Sequence, residues 1–110
     1  MMKLAMSPAA AGLLRALLAR AGVDRNRILL TDFRSQDWRS LTFAGEPHRI
    51  DLRIPGPGAA AIAEVLTRDL ADAEFAIPSQ IVADIAVNGA MVEHPDGAIS
   101  LTIEALTGEE

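Results

Sequence analysis

Residues 49–54 read Arg-Ile-Asp-Leu-Arg-Ile and residues 99–106 read Ile-Ser-Leu-Thr-Ile-Glu-Ala-Leu, so that an apolar side chain recurs at every second position in both. A helix would scatter such a set around its axis, whereas a strand gathers it on one side, because successive side chains of a strand point to opposite faces. Each segment predicts a strand with one face for a core and one for water, and a sheet of such strands needs covering on one side only.

Two segments of helical spacing supply the cover. Ser7-Pro8 reads as an N-cap followed by a proline at the first helical position, and Gly22 as a left-handed stop. Between them Leu13, Leu14, Leu17, Leu18 and Ala21 share one stripe, with Arg15 and Ala19 opposite. Pro55-Gly56-Pro57-Gly58 breaks the chain after Ile54, and Ala59 to Ala73 resumes helical spacing. There Ala59, Ile62, Val65, Leu66, Leu70 and Ala73 are expected to form the buried stripe, while Glu64, Arg68 and Asp72 form a solvated row.

The remaining segments alternate. Ile28 to Ser35 predicts a strand of mixed faces, and Arg39 to Ala44 another with Leu41 and Phe43 inward. After Pro78, Ile81, Ala83, Ile85 and Val87 are expected inward, against Val82, Asp84, Ala86 and Asn88 outward. Gly45-Glu46-Pro47 reads as a hairpin loop and His94-Pro95-Asp96-Gly97 as a type I reversal ending in a glycine of positive φ. The predicted order is α-β-β-β-α-β-β. The expectation is an α+β fold with one mostly antiparallel five-stranded sheet and two helices packed on one face, as a single domain over residues 1–110.

Composition removes many functions. The 110 residues contain no cysteine, which excludes disulfides, thiolate metal sites and a cysteine nucleophile. Of the histidines, His48 is expected to open an exposed strand and His94 to lie in a turn, neither beside clustered carboxylates, so no metal is expected. A formal charge of −5 argues against nucleic acid as a partner. Pro8, Arg15 and Arg20 interrupt any signal-like apolar run, and nothing approaches the ~18 apolar residues of a membrane span. A cytoplasmic protein with no membrane partner is expected.

The candidate motifs resolve into structure. The Gly-Pro-Gly before the second helix lacks the Lys-Ser/Thr of a phosphate loop and reads as a connector. Asp84 is expected to make a cross-strand polar contact with Arg49, Arg53 or Thr102. The serines include no Gly-x-Ser-x-Gly elbow. No catalytic residue, cofactor or metal is assigned. In Asp37-Trp38-Arg39-Ser40, Trp38 either caps the open end of the core or anchors an interface beside Arg34 and Arg39.

Charge is distributed unevenly along the chain. Residues 1–53 carry nine basic and five acidic side chains, a balance of +4, whereas residues 54–110 carry Arg68 against ten acids, a balance of −9. Such a chain either interleaves its halves and mixes the charges or presents two unlike surfaces suited to head-to-tail association. The sequence alone leaves both arrangements open.

Taken in order, the leading helix, the strand entering Arg34-Ser35-Gln36-Asp37-Trp38-Arg39-Ser40, the hairpin into His48-Arg49-Ile50-Asp51-Leu52-Arg53-Ile54, the alanine-rich helix ending Leu70-Ala71-Asp72-Ala73, the Pro95-Asp96-Gly97 turn and the closing Ile103-Glu104-Ala105-Leu106 resemble the small tail-completion (tail-terminator) proteins of long-tailed bacteriophages and gene transfer agents. The resemblance covers most of residues 28–106. It implies a non-enzymatic protein that assembles as a ring, commonly a hexamer, on the tail tube and docks to the head connector. Under that resemblance Trp38, Arg39, Arg49 and Arg53 are the candidate interface residues. Two alternatives stand beside it: an interaction module that dimerises through an edge strand or the open sheet face, and a small ligand binder or enzyme using that face.

Overall fold

The computed structural model describes residues 6–35, 38–39 and 44–109, apart from the side chains of Trp38, Arg39 and Ala44. Helix α1 (Pro8–Ala21) is followed by a 3-10 turn at Arg25–Arg27, then by strands β1 (Leu29–Ser35), β2 (Trp38–Arg39) and β3 (Ala44–Ile54). Helix α2 (Ala59–Thr67) and a 3-10 turn at Leu70–Asp72 lead to β4 (Gln80–Val87), β5 (Val92–Glu93) and β6 (Ile99–Glu109). All strands pair antiparallel in one sheet whose long members run β1-β3-β6-β4, with β2 beside β3 and the short β5 beside β6. The α+β architecture is the one the alternating segments call for.

Helix α1 is capped as expected. The Ser7 hydroxyl accepts from the Ala10 N–H at 3.1 Å, and Gly22 closes the helix at φ 70°. Leu13, Leu17 and Ala21 are buried, Leu14 and Leu18 pack at the margin of the core, and Arg15 and Ala19 face water.

Helix α2 is shorter than its spacing predicts. It ends at Thr67, Arg68 turns to extended geometry, and Asp69 takes a left-handed φ of 52°. Arg20 of α1 donates to the carbonyls of Leu66, at 3.0 Å, and of Arg68, so carbonyls at this helix end find partners without another helical turn. The 3-10 turn still carries Leu70 into the core, but Val65, expected on the buried stripe, is exposed. Glu64 and Arg68 keep their i, i+4 ion pair at 2.7 Å.

Two strand expectations are corrected. Gly45, Glu46 and Pro47 are not a loop: they belong to β3 and pair with Gly108, Thr107 and Leu106 of β6. On the other side of β3, Ser35 of β1 stands opposite His48 and Trp38 of β2 opposite Gly45, and no described residue pairs with Glu46 or Pro47. A residue lacking an N–H is tolerated where one flank of the ladder is unpaired. The predicted strand Arg39 to Ala44 falls mostly outside the described residues, as do Leu41 and Phe43. In β4 the register shifts between Val82 and Asp84, so an extra residue reverses the alternation. Val82 therefore packs against the core with Ile85 and Val87, while Ile81, expected inward, is exposed.

The covered face of the sheet contributes Ile50, Leu52 and Ile54 from β3 and Ile99, Leu101 and Ile103 from β6, packed with Leu13 and Leu17 of α1 and Ile62 and Leu66 of α2. Burying each such side chain stabilises the fold by roughly 1.5–3 kcal/mol, against at most about 1 kcal/mol for an exposed ion pair. This layer holds the domain together. No described helix covers the opposite face. The two halves of the chain do not interleave in the sheet: β1 and β3 lie side by side, and so do β6 and β4.

Gly12 lies inside α1 because of its neighbour. A Cβ at that position would come within 2.7 Å of the Ile77 Cγ2, a methyl on a stiff β-branched carbon. Gly12→Ala is expected to destabilise by about 1 kcal/mol although alanine is the better helix former, the overlap outweighing the propensity gain. Removing that methyl with Ile77→Ala should make the same change neutral or favourable. A double-mutant cycle by urea denaturation measures the coupling.

Candidate functional site

The uncovered face is built by the strand residues that the core does not take. Arg49, Asp51 and Arg53 of β3 alternate with its buried residues, and Ser100, Thr102 and Glu104 do so on β6. Across the sheet they form rows: Asp32 of β1, Asp51 and Thr102 in one, Arg34, Arg49, Glu104 and Ala86 in the next. Along the strands Arg34 approaches Asp32 at 3.5 Å and Arg49 approaches Asp51 at 3.6 Å, while Thr102 donates to Asp51 at 2.6 Å. Arg53 reaches beyond the strand end to Asp96 at 2.9 Å.

These contacts settle where the sequence-selected residues stand. Arg49 and Arg53 share the open face of a central strand. Trp38 and Arg39 form β2, opposite Gly45 and Ala44, and their side chains lie outside the described part. Asp84 is exposed and stands opposite Leu106. The polar contacts of Arg49, Arg53 and Thr102 run to Asp51 and Asp96 instead, because Asp51 lies two residues from Arg49 on β3 and directly opposite Thr102 of β6, and Asp96 lies in the turn that Arg53 reaches. The Asp96 carboxylate accepts from the Ala98 N–H at 3.0 Å, and that bond, followed by Arg53, holds its pKa below the ordinary value.

The predicted reversal is also in place. Gly97 has φ 85° and donates to the His94 carbonyl at 2.9 Å, and the His94 ring meets the Ser100 hydroxyl at 2.7 Å. His94 thus lies in a turn, as its neighbours predict.

His48 departs most from expectation. It does not open an exposed strand: it is 3% exposed, within β3 and between β1 and β6. The parity that buries Ile50, Leu52 and Ile54 also turns His48 inward, so extending the alternation back two residues would have found it. Its Nδ1 lies 2.7 Å from the Ser35 hydroxyl and its Nε2 2.9 Å from the Thr107 hydroxyl, itself fully buried. A hydroxyl donates or accepts as the ring tautomer requires, so both nitrogens are satisfied. Nearby, Ser7 donates to Glu46 at 2.8 Å, tying the start of α1 to β3.

Both ring nitrogens of His48 are thus engaged by hydroxyls of the neighbouring strands. A shallow depression of about 410 Å³ beside it is bordered by Pro47, His48, Asp84, Asn88 and Glu104. Among the described residues no group of three or more His, Asp or Glu side chains is placed to hold a metal ion. What the open face offers is a patterned set of charges and hydroxyls. No described helix is long and apolar enough to cross a membrane.

Burial lowers the His48 pKa from 6.5, against a smaller upward pull from Glu46. The neutral ring is therefore favoured more by the folded than by the unfolded chain. Its stabilising contribution is full above the unfolded value and is lost as pH falls through 6.5 toward the lowered folded pKa. The urea midpoint is expected to drop between about pH 7.5 and 5.5, and to drop less in His48→Gln. Thr107→Val, which leaves a buried ring nitrogen unpartnered, should cost about 1–3 kcal/mol at the upper pH.

No protein-family model matches the chain, and no curated protein matches it. Among solved structures it is similar to the type 4 fimbrial biogenesis protein PilO from Pseudomonas aeruginosa, with 9% sequence identity and a TM-score of 0.47 over 91% of this chain and 68% of that one.

Proposed function

We propose that the chain is a non-enzymatic cytoplasmic assembly protein, similar to the tail-completion proteins of long-tailed phages, acting by self-association into a ring and by docking to a tail tube and a head connector. The observation that carries this reading is the strand order β1-β3-β6-β4, which keeps the two unequally charged halves of the chain on opposite sides of one sheet. On the β1–β3 side Arg34, Arg49 and Arg53 stand among Asp32, Glu46 and Asp51, and Arg25 and Arg27 in the turn leading into it add positive charge. Asp84, Glu93, Glu104 and Glu109 lie on the β4–β6 side. Two unlike surfaces on one subunit favour head-to-tail contact, and such contact closes into a ring when its rotation permits. An uncovered sheet face adds area for a tube or connector.

A second reading, a homodimer through an edge strand, is supported by β1, whose residues are exposed apart from half-buried Phe33.

Self-association is measured by sedimentation velocity and multi-angle light scattering over a wide range of protein concentration at low and high salt. The expected result is a species heavier than the monomer that weakens as salt rises, since surface charge contacts are screened within about 10 Å at 0.1 M. Monomer mass at every concentration in low salt would overturn the assembly reading.

A further inference from the structure

Strand β1 borders the sheet. It pairs with β3 on one side, and no described strand pairs with it on the other. Leu29 and Leu30 are exposed, and so are all its residues except half-buried Phe33. A border strand of this kind leaves a row of N–H and C=O groups free to take another strand.

Its sequence says which strand. Thr31-Asp32-Phe33-Arg34-Ser35 reads hydroxyl, acid, aromatic, base, hydroxyl, which is complementary to itself when reversed. We propose that β1 pairs antiparallel with β1 of a second copy of this chain, about a two-fold axis through Phe33. In that register Asp32 of each copy faces Arg34 of the other, and the two Phe33 rings meet on the helix side. Directly opposed residues share a face in an antiparallel pair, so the helices of both copies stay on one side of a joined sheet.

Other registers fail on the same residues. Centring on Asp32 or Arg34 opposes like charges, and centring between residues sets Asp32 against Phe33, turning the covered face of one copy toward the open face of the other. The β3 side offers no better partner. There Asp32 stands opposite Asp51 and Arg34 opposite Arg49, like against like. Within β1 the contact between Asp32 and Arg34 is 3.5 Å long, with the arginine side chain 78% exposed. Only the free edge gives each charge an opposite one directly across a ladder. The shift in register at Thr31 limits the regular stretch to Asp32–Ser35, so the dimer is reversible.

The inference rests on the self-association reading and names its first contact. A two-fold contact closes at two subunits, so any larger ring contains an even number of chains and uses a further surface.

The test exchanges the two charges in the full chain and follows dimerisation by sedimentation equilibrium. Asp32→Arg alone and Arg34→Asp alone each create like-charge pairs across the axis and should weaken dimerisation at least about tenfold. Both variants are at exposed positions, and circular dichroism checks that they fold. The double variant Asp32→Arg, Arg34→Asp restores opposite pairs and should restore dimerisation. Mixing the two single variants should produce a heterodimer. Association that neither single change weakens, or that the double change leaves weakened, would overturn the β1 contact while leaving self-association intact. A wild-type chain that stays monomeric overturns both.

Discussion

The ladder between β3 and β6 carries the rest of the structure. Ten residue pairs, from Gly45 opposite Gly108 to Ile54 opposite Ile99, run without a shift in register. That continuity keeps the inward residues of two long strands in phase, so Ile50 meets Ile103, Leu52 meets Leu101 and Ile54 meets Ile99 beneath the helices. A slip by one residue would turn every one of these side chains into water, and a register with one buried face is strongly specified for that reason. The border strands need no such precision. Both β1 and β4 contain a shift, and each is paired on one side only along the main strand order.

At one end of the ladder the inner face changes from aliphatic to polar. Beyond Ile50 and Ile103 come His48 and Thr107, still buried but hydrogen-bonded to one another and, through His48, to Ser35. These bonds link β1, β3 and β6 where the aliphatic layer runs out. Their net contribution is modest, about 0.5–1.5 kcal/mol each, but losing one partner leaves a buried polar atom and costs more than the bond contributed. The polar end therefore specifies the arrangement of three strands more than it stabilises them, while the aliphatic layer provides most of the stability.

What could be read from the residues alone follows the same division. The alternation over Arg49–Ile54 and Ile99–Ala105 is unbroken, and these strand segments, their aliphatic buried residues and the antiparallel α+β class are evident from it, whereas buried His48, just before the first segment, is not. The caps at Ser7 and Gly22 and the turn at Gly97 were evident because each depends on a local backbone geometry that few residue types satisfy. Ile81 was misplaced because parity counts residues, and the extra residue in β4 is fixed by pairing with β6, a distant part of the chain. Gly45 and Pro47 are residue types that favour turns, yet turn preference is weak beside a ten-pair ladder. Helix α2 continued in pattern through Ala73, but the carbonyls at its end are met by Arg20, a residue 46 positions from Leu66. Of the interface candidates, the common placement of Arg49 and Arg53 on the open face follows from their spacing; Trp38 gave no comparable signal, since a lone tryptophan suits a core and a contact surface alike.

The charges of the open face complete the distinction between centre and border. At the seam between the two halves of the chain, Arg49 stands opposite Glu104, so the basic half meets the acidic half with unlike charges in register. Between β1 and β3, both from the basic half, Asp32 meets Asp51 and Arg34 meets Arg49. Cross-strand pairs of like charge are unfavourable and unlike pairs favourable by a few tenths to about 1 kcal/mol, so the face is electrostatically matched at its middle and mismatched at its β1 border. Such a border strand is held by backbone pairing and by the hydrogen bonds of Thr31 to the Asp51 carbonyl and of Ser35 to His48. The mismatch thus falls at the border of the sheet, on the strand that no described strand pairs on its outer side.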